Sequence, residues 1–359
     1  MGKVAIVSCE PRHRAEVFAL HAATFGGDAA QALERRYAWS RLANPAPGET
    51  GEWVAVADGA RVVGYVAALP VPYRVDGQRC WAQTTADFMV AEGFTFHGLS
   101  LMKAAFQRFP RQVSLDDVKA TQAVLTFMKA TRVLSLGRWA KPLDARLLGT
   151  RTTWGRHVPP ALLAPARHAL RLVDRLRRPG GLPRAVPVPF DARFDRWAEA
   201  QCGVTGAAAY RDAAWYRWRY GPGSPQAGAR AVGVLDARGE LEGYAVVALR
   251  TDAEATGHVL ELCAPRTAGP ELLLALLSGA VRELRRLGAW GAVVHVTTPA
   301  PPGLGAVLEA CGFSPRAYRT GLYVRPAPDD ALPFASALLD GARWDFQFAD
   351  AEVTHGLVT

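Results

Sequence analysis

Short runs in which apolar and polar residues alternate give way to stretches with helical spacing, and this happens in the same order twice along the chain. In the first half the pattern predicts a strand over Val4 to Ser8, helices over Arg12 to Phe25 and Ala29 to Leu42, and strands over Trp53 to Ala57, Val62 to Val75 and Cys80 to Val90. A glycine-containing loop then leads to a helix (Leu99 to Phe109), a strand (Gln112 to Leu115), a helix (Ala120 to Ala130) and a strand (Val133 to Trp139). The second half predicts helices over Asp191 to Ala200 and Asp212 to Tyr220, and strands over Ala231 to Leu235, Leu241 to Arg250 and Gly257 to Cys263. It closes with a helix (Pro270 to Leu287), a strand (Gly291 to Thr297), a helix (Gly303 to Cys311) and a strand (Tyr318 to Val324). Antiparallel strands feeding a strand, loop, helix, strand, helix, strand unit predict an α+β fold in each half, a mostly antiparallel twisted sheet flanked by helices.

The repetition extends to individual residues. Tyr37-Ala38-Trp39 and Gly64-Tyr65 recur as Tyr216-Arg217-Trp218 and Gly243-Tyr244, each displaced by 179 residues. Helix-ending loops follow both aromatic marks, at Asn44 to Gly48 and Gly221 to Pro225. A third echo, Ala123-Val124-Leu125 against Ala306-Val307-Leu308, has a spacing of 183 residues. A repeat of this size is a domain and excludes a solenoid. The expected organisation is a domain over residues 1–148, a linker over 149–190 and a second domain over 191–359.

Composition changes this picture little. Half of the 359 residues are hydrophobic and 21% are charged, as expected of a chain with two cores. No apolar run approaches the roughly 20 residues of a membrane span, and the start, Met1-Gly2-Lys3-Val4, lacks a signal-peptide core. A cytoplasmic protein is expected. Cys9, Cys80, Cys202, Cys263 and Cys311 are scattered, with no histidine at ligand spacing, so neither a metal site nor a disulfide framework is expected.

Net charge is +9, and most of it is local. Between Arg146 and Arg196 stand eleven arginines and three aspartates. Pro160 to Arg178 reads as a basic amphipathic helix, followed at Leu182 to Pro189 by an extended proline-rich connector. A solvated helix packed across two domains accounts for this stretch, and contact with nucleic acid or an anionic membrane is the alternative.

The segment from Asp87-Phe88-Met89-Val90 through Gly93-Phe94-Thr95-Phe96-His97-Gly98-Leu99-Ser100 resembles the cofactor-binding motif of the GNAT acyltransferase superfamily, in which a strand enters an Arg/Gln-x-x-Gly-x-Gly/Ala loop and then a helix. The element order is similar to tandem bacterial members, including the FemAB-like aminoacyl transferases. The closing run Trp344 to Glu352 is similar to tails seen in tandem members. The loop departs from the pattern: Thr95 stands where the family has Arg or Gln, and Ser100 where it has a second Gly or Ala. The resemblance implies two tandem GNAT-like domains with acetyl-CoA or another acyl-CoA as co-substrate.

A pyrophosphate needs backbone N–H groups and the positive end of a helix, which the loop before Leu99 offers. Phe96, His97, Gly98, Leu99 and Ser100 are therefore the expected cofactor contacts, with Gly98 permitting close approach. The matching loop of the second half, Ala264 to Pro270, has Arg266 and Gly269, but Pro265 and Pro270 each remove a donor. The first half is thus expected to hold the donor.

Acyl transfer to an amine also needs a proton acceptor, an oxyanion donor and a proton for the leaving thiolate. The resemblance implies a carboxylate near the strand before the loop as base, and Asp87, Glu92, Asp116 and Asp117 are available. It implies a main-chain donor at Met89 or Val90. The tyrosine that protonates sulfur in the family is missing from Ala120 to Ala130. Glu261, mid-strand between apolar neighbours, is the sharpest signal of the second half, as a catalytic group or one of a buried pair. Tyr318 and Tyr323 could reach the same cleft. The leading expectation is acylation of an amine on a small metabolite, such as an amino sugar or a natural-product intermediate. The alternatives are aminoacyl transfer from an aminoacyl-tRNA held by the basic stretch, and a non-catalytic acyl-CoA-binding or assembly protein.

Overall fold

A computed structural model describes residues 3–45, 50–116, 118–147, 180–201, 206–250, 254–298, 300–352 and 354, with isolated residues between 165 and 174. The expected helix Pro160 to Arg178 falls mostly outside the described residues, the described ones among them being helical, and Asp117 and Cys202 lie outside them too. Asp174 is described, and it accepts from Lys141 Nζ at 2.6 Å and from Arg285.

The first half contributes β1 (Val4–Ser8), α1 (Arg14–Phe25), α2 (Gly27–Tyr37), β2 (Gly51–Ala57), β3 (Arg61–Val75), β4 (Gln78–Val90), α3 (His97–Arg108), β5 (Gln112–Asp116), α4 (Lys119–Phe127) and β6 (Thr131–Pro142). The second contributes β7 (Val186–Val188), α5 (Ala192–Ala200), β8 (Ala207–Ala209), α6 (Ala213–Tyr220), β9 (Arg230–Leu235), β10 (Leu241–Leu249) and β11 (Thr256–Cys263). After these come α7 (Pro270–Arg286), β12 (Gly291–Thr298), α8 (Leu304–Ala310), β13 (Ser314–Arg325), α9 (Leu332–Leu339) and β14 (Trp344–Asp345). One predicted helix is corrected. The run from Ala29 to Leu42 leaves α-geometry after Tyr37 and closes as a π-turn over Ala38–Leu42. The wider turn puts Trp39, Ser40 and Arg41 all inside, which α-helical spacing would not do for three successive residues.

The strands form one sheet in the order β1-β2-β3-β4-β5-β13-β6-β12-β11-β10-β9-β7. Its middle is an exchange. The last strand of the second half, β13, pairs antiparallel with β5 of the first, and the last strand of the first half, β6, pairs antiparallel with β12 of the second. The two exchanged strands also pair with each other. Each copy is therefore completed by the other, within a single α+β architecture of two similar halves.

Alternation along the strands separates two layers. Val66 and Ala68 of β3 pack on Leu101, Met102, Ala105 and Phe106 of α3, and Ala245 and Val247 of β10 pack with Leu277, Ala280 and Leu284 of α7. Their neighbours Tyr65 and Ala67 pack with Val17 and Leu20 of α1, and Tyr244 and Val246 with Phe194 of α5, Tyr216 of α6 and Phe348 of the closing segment. One face thus carries α3, α4, α7 and α8, and the other carries α1, α2, α5, α6 and the tail.

Candidate functional site

In the first half, β4 and β5 run parallel but are paired in register only at Gln83 and Gln112. Gln83 N–H donates to Arg111 O at 3.0 Å, and Thr85 N–H already needs the Ser114 hydroxyl, at 3.2 Å, instead of a main-chain carbonyl. Beyond that point the strands part. One extra residue in β4 between Ala86 and Met89 makes a bulge, where Asp87 takes a φ of 51°. Ala91 N–H donates to Val63 O at 2.8 Å, so the alternation of an antiparallel pair turns the Val90 N–H away from β3, toward the opening. Met89 pairs with Tyr65 and is buried.

The turn Ala91 to Phe96 delivers the chain to α3 beside this opening. That helix has no side-chain cap and no acidic residue in its first turn, so its positive end stands uncompensated. The N–H groups of Phe94, His97 and Gly98 are spent inside the turn, on Ala91 O, Phe94 O and Thr95 O. A Cβ on Gly98 would meet Phe88 Cζ at 3.0 Å and Val90 Cγ2 at 3.3 Å. The glycine therefore lets α3 approach β4 closely, a packing role beside the contact expected of it. Phe96 and Leu99 are exposed, Phe96 lies over His97 with ring centroids 5.5 Å apart, and Ser100 is exposed in the first turn.

Asp87 is buried on the α1 and α2 face. Its Oδ2 accepts from Arg41 Nη2 at 2.5 Å, its Oδ1 accepts from Arg36 Nη2, and His21 Nε2 is 3.8 Å away. Burial alone would raise its proton affinity, but the two guanidinium groups win and hold the carboxyl below the ordinary aspartate range. Glu52 completes the cluster, accepting from Tyr37 at 2.7 Å and from Tyr65. A carboxylate held so firmly ionised is a poor proton acceptor and a good organiser of charge.

The closing segment supplies a different carboxylate. Glu352 lies within the fields of Asp87, Arg36, Arg41 and Asp116, partly buried, and its pKa is raised to about 7. Burial is the main cause and the Asp87 charge the next, with Arg36 and Arg41 opposing both. Nothing in the local sequence marks it, because every charge that tunes it comes from another element. The segment is anchored by the buried Arg219, whose Nη2 donates to Thr354 Oγ1 at 2.5 Å, and by Gln226 Nε2, which donates to Thr354 O at 2.5 Å. Asp116 Oδ1 accepts from Val118 N–H at 2.7 Å at the start of α4, and Glu92 is exposed in the turn. No tyrosine lies on α4.

The second half repeats the frame and fills it. Cys263 pairs with Tyr244 as Met89 pairs with Tyr65, which makes Glu261 the counterpart of Asp87. Glu261 is 1% exposed and accepts from Tyr216 at 2.5 Å and Tyr220 at 2.7 Å, with Arg211 Nε at 4.0 Å. Burial raises its pKa, and Arg211 opposes this. The Leu262 N–H, counterpart of Phe88, donates to Gln347 Oε1 at 2.9 Å, and Phe348 lies against the His295 ring, 3.7 Å between centroids. At α7, Glu271 occupies the first turn, its Oε2 2.7 Å from where a Cβ on Gly269 would stand. Arg266 donates to Ala342 O at 3.4 Å. Tyr318 meets His295 edge-on, and Tyr323 is buried in the core beneath α3. Among the described residues no group of three or more His, Cys, Asp or Glu could hold a metal, and no helix is long and apolar enough to cross a membrane.

No family model matches the chain, and no curated protein is similar to it in sequence. Solved structures do match. The N-myristoyltransferase of Saccharomyces cerevisiae with bound myristoyl-CoA superposes over 95% of this chain and 89% of its own, with a TM-score of 0.57 at 12% identity. A GCN5-related N-acetyltransferase from Anabaena variabilis matches over 90% of this chain and 72% of its own, with a TM-score of 0.57 at 13% identity. One from Kribbella flavida matches over 90% and 70%, with a TM-score of 0.56 at 14% identity. With its doubled, strand-exchanged sheet, its parted β4 and β5 and its uncapped α3, the chain has the fold of the GCN5-related N-acetyltransferases and N-myristoyltransferases, the GNAT fold, over nearly its whole length.

Proposed function

We propose that the protein is an N-acyltransferase that moves an acyl group from coenzyme A to an amine of a small metabolite, at the opening between β4 and β5 of the first half. The observation that carries this reading is the parting of β4 and β5, with the Val90 N–H facing the gap, beside the uncompensated N-terminus of α3; Glu352, which feels the charges of Asp87 on β4 and Asp116 on β5, is the carboxylate the reading takes as base. In this reading residues 1–148 hold the donor, and the half over 191–359 serves as scaffold and source of the tail. The pantetheine arm enters between the strands, and the coenzyme's pyrophosphate lies at Leu99 and Ser100.

The amine nitrogen attacks the thioester carbonyl carbon, and the Val90 N–H stabilises the oxygen as it gains charge. The N–C bond forms, the C–S bond breaks, the amine proton passes to Glu352, the thiolate leaves and takes a proton from solvent, and Glu352 returns its own proton to solvent. A carboxyl with a pKa of about 7 suits that task far better than one held as low as Asp87. The test is thiol release from acetyl-CoA and longer acyl-CoAs over a panel of amines, with Glu352→Gln as the variant. The reading expects kcat to fall by about 100-fold or more and the acid limb of the pH profile to vanish. Unchanged turnover and an unchanged limb in this variant would remove Glu352 from the mechanism, and no acyl-CoA binding at about millimolar ligand would remove the function.

A further inference from the structure

The helices that flank the donor opening carry a surface that free coenzyme A would not use in full. Phe96 is 63% exposed and Leu99 36% exposed at the start of α3, and Val118 is 55% exposed at the start of α4. Both helices follow adjacent strands and pack on the same face, so these side chains rim one mouth. Solvent-facing apolar side chains gathered at one place mark contact surfaces more often than chance exposure does.

Charge points the same way. Neither α3 nor α4 contains an aspartate or glutamate. In a chain dominated by arginine, three of the five lysines, Lys103, Lys119 and Lys129, lie on α3, on α4 or just after it. All three are exposed and none makes an ion pair among the described residues. Lys103 lies one turn beyond Leu99 on α3, and Lys119 follows Val118. Among the described residues the carboxylates at the two lips are Glu92, in the turn before α3, and Asp116, which accepts from the Val118 N–H; Asp117 lies outside the described residues.

We infer that this rim docks an acidic carrier protein, which presents the acyl group on its own phosphopantetheine arm. The inference rests on the proposed acyl transfer and names the source of its donor. The apolar rim takes the apolar end of a carrier helix, Lys103 and Lys119 face its carboxylates, and the arm enters the gap between β4 and β5. The chemistry balances: the amine nitrogen replaces the carrier's sulfur on the acyl carbon, its proton goes to Glu352, the carrier leaves as the thiolate and takes a proton from solvent, and Glu352 returns its proton to solvent. Charge at such a rim acts mainly through encounter rate and salt dependence.

The experiment titrates the full chain with an acetyl-loaded bacterial acyl carrier protein and, separately, with acetyl-CoA, at about 50 mM and about 300 mM salt. Micromolar carrier binding that weakens with salt is expected, and a loss of about tenfold in the double variant Lys103→Glu, Lys119→Glu, with acetyl-CoA binding unchanged as proof of folding. Lys129→Glu, at the far end of α4, should leave carrier binding within about twofold. Acetyl-CoA binding without carrier binding would overturn this inference alone. Equal loss of both ligands in the double variant would also overturn it, assigning the lysines to coenzyme A phosphates. Failure of both donors to bind the unaltered chain would overturn the acyl-transfer reading as well.

Discussion

Trp39 and Trp218 stack with ring centroids 4.7 Å apart and planes 12° from parallel, and each indole N–H donates to the other's main-chain carbonyl, at 2.8 and 3.1 Å. Two residues that give and receive the same bond lie on a local two-fold axis, here the axis that relates the two halves. The sequence echo of 179 residues is therefore also a physical contact. Trp39→Ala would remove the stack and one bond and leave a cavity beneath Arg219, which lies 5.4 Å from the Trp39 ring. A loss of about 3–5 kcal/mol is expected. Because β6 and β13 are exchanged, the loss should appear as one shifted transition in urea, with far-UV circular dichroism and tryptophan fluorescence coincident. Two separated transitions would mean that the halves unfold independently.

Asp87 and Glu352 should be linked in titration. In Asp87→Asn the negative neighbour that raises Glu352 is gone, while Arg36 and Arg41, which lower it, remain. The Glu352 pKa must then fall, and the acid limb of the rate must move to lower pH. Stability responds with two opposite signs. Asp87, whose folded pKa lies below its unfolded one, stabilises above its unfolded pKa, and that contribution is lost as pH falls through the folded value. Glu352, whose folded pKa lies above its unfolded one, favours the fold below its unfolded pKa, and this is lost as pH rises from about 4.5 through about 7. Glu352→Gln should flatten the stability profile across that window, as read by melting temperature against pH. Asp87→Asn should cost about 3–5 kcal/mol at neutral pH, because it strands Arg41 in the interior.

The second half should stay silent as a donor site. Gln347 caps the Leu262 N–H, and Glu271 already occupies the helix end where a pyrophosphate would lie. Gln347→Ala would uncap that N–H at a cost of about 1–3 kcal/mol without creating a site. Calorimetric titration with acetyl-CoA should give one molecule per chain before and after the substitution. A stoichiometry of two in either protein would show that the second opening accepts a donor.

Much of the fold was legible because period and punctuation are local. Alternation marks the long strands, and the paired aromatic marks expose the duplication. The exchange of β6 and β13 was not legible, since the pattern of a strand says which face is apolar and not which neighbour it joins. The π-turn at Trp39 has the sequence of plain helix for a similar reason: the Trp218 contact that accompanies its i to i+5 bonding comes from 179 residues away. Asp87 and Glu261 are legible in the sequence as carboxylates on strands. What separates their surroundings, two arginines in one case and two tyrosines in the other, resides on α2 and its π-turn and on α6. Glu352 was legible only as part of a tail, because its raised pKa is a property of the place where the tail ends up.

Gly98 offers the sharpest test of how the donor site is built. Its sequence position suggests room for a phosphate, yet the space beside its Cα is held by Phe88 and Val90 of β4. Gly98→Ala must therefore push α3 away from β4 by a few tenths of an ångström or turn the Phe88 ring, an overpacking cost of about 1–3 kcal/mol. That movement shifts the N-terminus of α3, with Leu99 and Ser100, relative to the Val90 N–H, so the two ends of a bound pantetheine would no longer be matched. Acyl-CoA binding should weaken by about tenfold while Ser100→Ala, which removes one hydroxyl and moves nothing, costs less. The comparison is made by calorimetry on both variants. If Gly98→Ala binds as tightly as the unaltered chain, the close packing of α3 on β4 does not set the donor site.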